Sequence, residues 1–143
     1  KEWKDVCKKN DYKVKTSTIC CYPTDQNFIN AHTKQIIKKI KNLKNYKLIF
    51  SAHGLPEKNI KSGDPYQWQV EQSVKKIVES LNNENLDWIL SYQSRVGPLK
   101  WIGPSTDSVI IENAKLGKNI VIVPVAFVSE HRSPTTSASS PVS

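Results

Sequence analysis

Short runs of apolar and β-branched residues alternate along this chain with longer stretches whose apolar residues recur every three or four positions, and that alternation limits the available folds. Residues 14–21 (VKTSTICC), 46–52 (YKLIFSA), 87–92 (DWILSY) and 119–127 (NIVIVPVAF) read as strands. The first helix is expected over 25–44, with Asp25 as its N-cap and Phe28, Ile29, Ile36, Ile37, Ile40 and Leu43 on one face. A second is expected over 66–81, where Val70, Val74, Ile77, Val78 and Leu81 share a stripe. A third, capped by Ser105 or Thr106, runs to Leu116 and stops at Gly117. Residues 54–65, punctuated by Pro56, Gly63 and Pro65, read as a loop. Strands separated by helices need right-handed crossovers, so the fold class is α/β: a doubly wound parallel sheet with helices on both faces. The last strand is nearly all apolar, which predicts burial on both sides.

Sheets of this kind bind ligands outside the carboxyl ends of their strands. That rule gathers Ala52-His53-Gly54, Gln93-Ser94-Arg95 and residues 126–131 on one rim. Of the chain's three histidines, His53 alone ends a predicted buried strand. A neutral imidazole there can accept a proton or bind a metal ion. The sequence has no GxGxxG or GxxxxGK[ST] phosphate loop and no GxSxG elbow, so nucleotide chemistry and serine hydrolysis lose support.

At 143 residues the chain is long enough for one domain with a core and too short for two. It begins at Lys1, carries no signal-peptide pattern and has no apolar run near the ~18 residues of a membrane span, so it reads as a soluble, cytoplasmic fragment. The net charge of +8 lies in the first third, where twelve lysines up to Lys47 face Glu2, Asp5, Asp11 and Asp25. Nucleic-acid readers lean on arginine, whereas this chain has 19 Lys and only Arg95 and Arg132. The excess therefore reads as compositional, with no nucleic-acid partner. The sharper alternative is a basic amphipathic helix over 25–44 that touches a membrane surface. Cys7, Cys20 and Cys21 form no CxxC spacing and read as reduced thiols.

The rim residues resemble a known family. Ser51-Ala52-His53-Gly54-Leu55-Pro56, Gly63-Asp64-Pro65-Tyr66, Gln93-Ser94-Arg95-Val96-Gly97-Pro98, Trp101-Ile102-Gly103-Pro104 and Pro124-Val125-Ala126-Phe127-Val128-Ser129-Glu130-His131 look like ferrochelatase, in the wording of its protoporphyrin branch. The likeness covers roughly residues 16–131, the carboxyl-terminal half of a two-domain family. It implies a chelatase-like fold for residues 1–131 and insertion of Fe(II) into protoporphyrin IX, the last step of haem biosynthesis. Iron would then be substrate, with no permanently bound cofactor; an iron–sulfur cluster is not expected, because the cysteines lie upstream of the motifs. On the resemblance, His53 takes a pyrrole proton or holds the metal, and Glu130 and His131 complete the catalytic set. Trp101 and Phe127 would lie against the macrocycle, and Gln93, Ser94 and Arg95 would steer its propionates.

The chain also departs from the family. A glutamate stands two residues after the motif histidine in the family; here that position is Ser133, and Glu130 is the last carboxylate within reach. Residues 132–143 hold no Lys, Asn or Ile and are mostly Ser, Thr and Pro, so they read as a disordered, non-family tail. The amino-terminal domain that walls the other side of the cleft is missing, which puts activity of the chain as it stands in question. A non-catalytic tetrapyrrole-binding module of the same fold is the alternative. A sirohydrochlorin-type chelatase is a weaker one, because the Gln93–Pro98 and Gly63–Tyr66 motifs argue against it.

Overall fold

The computed structural model describes residues 2–17, 19 and 21–126. Its elements run α1 (Glu2–Lys9), α2 (Gln26–Ile40), β1 (Tyr46–His53), α3 (Glu57–Lys61), α4 (Tyr66–Leu81), β2 (Trp88–Gln93), α5 (Thr106–Lys115) and β3 (Asn119–Pro124). The three strands form one parallel sheet in the order β2-β1-β3.

Central placement explains why β1 is apolar without alternation: Leu48, Ile49, Phe50, Ser51 and Ala52 are all buried. Leu48, Phe50 and Ala52 point toward α2 and α4, where they pack with Ile29, Ile36, Val70, Val74 and Ile77. Ile49 and Ser51 take the other side, beneath Thr106, Val109 and Asn113 of α5. The chain thus covers one face with α2 and α4 before returning across the other with α5, and the sheet is doubly wound as expected. Helix ends follow local chemistry. Asp25 Oδ1 accepts from the Phe28 amide at 3.0 Å, and Ser105 Oγ accepts from the Ser108 amide at 3.2 Å. Gly117, at φ 67°, follows the end of α5.

The structure corrects several expectations. Residues 14–17, 19 and 21 join no strand, although their composition favours one. β-propensity expresses packing on a pleated, half-buried surface, and here Ile19 is 79% exposed and no described strand pairs with this segment. Among the described residues the last strand is an edge that pairs only with β1, and Ile122 is 48% exposed, so the prediction of burial on both faces fails. Helix α2 stops at Ile40 rather than 44, and the 54–65 loop contains the single-turn α3. Helix α1 was not anticipated. The 132–143 tail lies outside the described residues.

Candidate functional site

Strand β1 delivers His53 to the carboxyl rim, and the next residue decides what stands beside it. A Cβ at position 54 would sit 2.8 Å from the Gln93 carbonyl oxygen, 3.3 Å from Arg95 Cγ and 3.4 Å from Trp101 Cε3. Only glycine allows this approach. Its amide donates to that same Gln93 carbonyl at 2.8 Å, while His53 and Gln93 are partners in the β1–β2 register.

The segment after Gly54 then pairs with the one around Trp101. The Ile102 amide donates to the Leu55 carbonyl at 3.0 Å and the Glu57 amide to the Lys100 carbonyl at 2.9 Å, with Pro56 and Trp101 opposed in an antiparallel bridge. On the other side, the Tyr92 amide donates to the Pro104 carbonyl at 2.9 Å. The Trp101 loop is therefore sewn to both strand ends.

Of the residues expected to bind substrate, Arg95 and Trp101 bring side-chain carbons, and Gln93 its backbone carbonyl, beside Gly54, the residue after His53. His53 and Arg95 are exposed, and Gln93 is half-buried. Ser94 lies at the same turn with φ 60°, exposed, and its left-handed backbone reverses the chain so that Arg95 returns toward Gly54. Trp101 is half-buried; its indole N–H is enclosed and has no acceptor among the described residues. An enclosed donor without a partner is costly. Phe127, Glu130 and His131 lie outside the described residues, as does Ser133.

Tyr66 belongs to the rim and was given no role in the sequence reading. Burial raises its phenol above the ordinary range, and a hydrogen bond from the His53 backbone partly offsets that rise. The signal lay in Gly63-Asp64-Pro65-Tyr66: Gly63 takes φ 93°, and Asp64 Oδ1 accepts from the Tyr66 amide at 2.9 Å, opening α4 at the right place. A cavity of about 260 Å³ adjoins Tyr66 on the α2/α4 side, walled by Tyr22, Pro23, Phe28, Val70 and Ala126. Beneath the rim, Tyr92 is buried with its hydroxyl unpartnered among the described residues, and burial, then the Glu71 carboxylate, push its phenol up.

No group of three or more His, Cys, Asp or Glu side chains stands close enough to hold a metal ion among the described residues. No described helix is long and apolar enough to cross a membrane. The geometry thus offers an exposed imidazole, a guanidinium and a half-buried indole on one rim.

Comparison with known proteins supplies a family. The ferrochelatase family model matches residues 1–134. The chain is 86% identical over 131 residues to a ferrochelatase of Pelagibacter ubique (strain HTCC1062), covering 92% of this chain and 38% of that protein. It is 48% identical over 128 residues to a ferrochelatase of Rickettsia conorii, covering 90% of this chain and 37% of the relative, and 52% identical over 118 residues to one of Rickettsia bellii (strain OSU 85-389), covering 82% and 33%. The chain therefore spans little more than a third of the length of these curated relatives.

Proposed function

The chain belongs to the ferrochelatase family, and from that premise we propose that it forms the histidine-bearing wall of a porphyrin cleft in which Fe(II) enters protoporphyrin IX. The observation that carries this reading is the approach of the Gln93 carbonyl, Arg95 and Trp101 to Gly54, the residue that follows His53 at the end of β1. Metallation requires two pyrrole N–H protons to leave and a hydrated dication to shed its water. An exposed imidazole at the rim can take such a proton when neutral, or hold the incoming metal through the same nitrogen lone pair. The Trp101 ring supplies flat apolar surface for the macrocycle. Arg95, with Gln93 and Ser94 beside it, presents donors to the propionate carboxylates, for which a guanidinium is well matched. Iron is substrate in this scheme, and no resident cofactor takes part.

Residues 1–131 act as the chelatase unit and 132–143 as a separate tail. Phe127, Glu130 and His131 follow β3 in sequence and are assigned to the same chemistry on the resemblance alone, with Glu130 the carboxylate nearest in sequence to the place of the family glutamate. The rest of the cleft comes from the two-thirds of the relatives' length that this chain does not span. The cytoplasmic side of a membrane is a fitting location, with the Lys-rich face of α2 toward the lipid. A second reading, a tetrapyrrole-binding module without turnover, is favoured by the resemblance, whose glutamate two residues after the motif histidine would fall at Ser133.

Titration with protoporphyrin IX or N-methylprotoporphyrin, followed by Fe(II) or Zn(II) addition and the Soret band, separates these readings. Metallation that disappears in His53→Ala supports the enzyme. Binding without metallation supports the module. If neither porphyrin binds, both are wrong for this chain.

A further inference from the structure

On the α5 side of the sheet, just beneath the rim, three buried hydroxyls form a closed circuit. Ser51 comes from β1, Ser91 from β2 and Thr106 from the first residue of α5; all three are at most 6% exposed, and Ser51 and Ser91 are register partners. Thr106 Oγ1 lies 3.1 Å from Ser51 Oγ and 2.9 Å from Ser91 Oγ, and Ser91 Oγ donates to the Phe50 carbonyl at 3.1 Å.

A hydroxyl has one hydrogen to give, and that fixes the direction of every bond. Ser91 gives its hydrogen to Phe50, so Thr106 is the donor to Ser91. The Thr106 hydrogen is then committed, so Ser51 donates to Thr106. Three hydrogens serve three bonds and none is left over. The circuit leaves β1 at Ser51, crosses α5 and β2, and returns to β1 at Phe50.

Its position gives it a purpose. His53 and Gln93 are the next residues on the same side of their strands, about 7 Å further toward the rim. The His53 side chain makes no hydrogen bond, ion pair or ring contact with a described residue, so among the described residues it is the backbone of β1 that places it. Thr106 also ends the segment that begins at Trp101, whose Pro104 carbonyl holds Tyr92. One hydroxyl therefore ties together both strand ends and the loop bearing the indole. Apolar packing tolerates small slips, whereas directional bonds in a low-dielectric core do not.

We propose that Thr106 is a positioning residue, whose hydroxyl sets the separations among His53, Gln93 and Trp101 that a porphyrin meets. In what it says of porphyrin, this deepens the proposed function and rests on it.

The test uses the full chain as wild type, Thr106→Val, Thr106→Ser and Ser51→Ala. N-methylprotoporphyrin affinity is read at the Soret band. In parallel, ¹H–¹⁵N spectra follow the His53, Gly54 and Gln93 amides and the Trp101 indole, with the amides of Lys76 and Glu79 at the far end of α4 as reference. Valine keeps the shape of threonine and removes its hydrogen bonds, so Thr106→Val should weaken porphyrin binding by about tenfold and move the rim signals but not the reference ones. Thr106→Ser should recover wild-type affinity to within about twofold. Ser51→Ala leaves the Thr106–Ser91–Phe50 path intact and should cost only about two- to threefold. A folded Thr106→Val chain with wild-type affinity and rim signals overturns the proposal, and so does failure of serine to rescue. If Thr106→Val does not fold, unchanged rim signals in Ser51→Ala overturn it. If wild type binds no porphyrin, the proposed function fails separately; the clamp then stands if the rim signals move in Thr106→Val and return in Thr106→Ser, and falls otherwise.

Discussion

Gly54 and His53 are neighbours with opposite demands. A methyl group at 54 meets a backbone oxygen at 2.8 Å, and that oxygen is held by the Gly54 amide itself, so it cannot step aside without breaking the β1–β2 connection. Gly54→Ala should therefore cost roughly 2–3 kcal/mol in urea unfolding; a loss under about 0.5 kcal/mol would show that the approach is looser than described. His53 is exposed, and its side chain makes no hydrogen bond, ion pair or ring contact with the described residues. His53→Ala should leave the unfolding midpoint almost unchanged and, if the proposed function holds, abolish metallation. His32 differs again: half-buried against Phe28, with ring centroids 4.6 Å apart, it has its pKa lowered by burial. The folded state then binds fewer protons than the unfolded chain, so stability is full above the ordinary histidine range and declines as pH falls through it. Thermal melts from pH 7.5 to 5 should show that decline, and His32→Phe should flatten it.

At the scale of elements, periodicity served well wherever packing agreed with it. Helix α4 matches the expected 66–81, and β1, β2 and α5 fall within a residue or two of their expected bounds, because each buries the face its spacing implies. The strand expected over 14–21 and the buried character of β3 were misread for one reason: both depend on a neighbouring strand that sequence cannot supply. Of the candidate rim, His53, Gln93 and Arg95 were placed by strand ends, whereas Trp101 entered only through the family resemblance. The Ser51–Thr106–Ser91 circuit was not, because two serines inside apolar runs give no sign that they face each other across a register. The open edge of β3 (NIVIVP) carries no charge and no internal proline, the usual guards against edge-to-edge pairing. Ile111 and Leu116 of the α5 segment and Ile122 of β3 are exposed as well. The chain should consequently self-associate at tens of micromolar or so, seen by light scattering, and Ile122→Lys should return it toward monomer. At the opposite end of the sheet, hydrogen bonds from Lys118 and then Lys47 lower the Asp87 pKa. Its contribution is present above the ordinary aspartate range and is lost as pH falls through the lowered value. Because Asp87 is 41% exposed, Asp87→Asn should cost ~1 kcal/mol or less.

The whole molecule presents one wall of a site. The rim has its imidazole and its guanidinium on the surface, and an indole N–H enclosed without an acceptor among the described residues. Trp3, Tyr12, Ile19 and Tyr22 also expose large apolar surface before α2. On the proposed reading, a wall of this kind would hold the macrocycle on one side only, so much of it would stay in water and the entropy of capture would be poorly offset. Joining this chain to the remainder of the Pelagibacter ubique relative, of which it spans 38%, should raise N-methylprotoporphyrin affinity by about tenfold or more. Proton removal poses a separate question, because a base works through its partner as well as its placement. If His53 depends on the carboxylate that the family carries where Ser133 stands here, Ser133→Glu in the joined protein should raise kcat by about 10² with little change in KM. A rise in affinity on joining with no response to Ser133→Glu would leave His53 as the metal-holding group and move the proton acceptor elsewhere in the cleft.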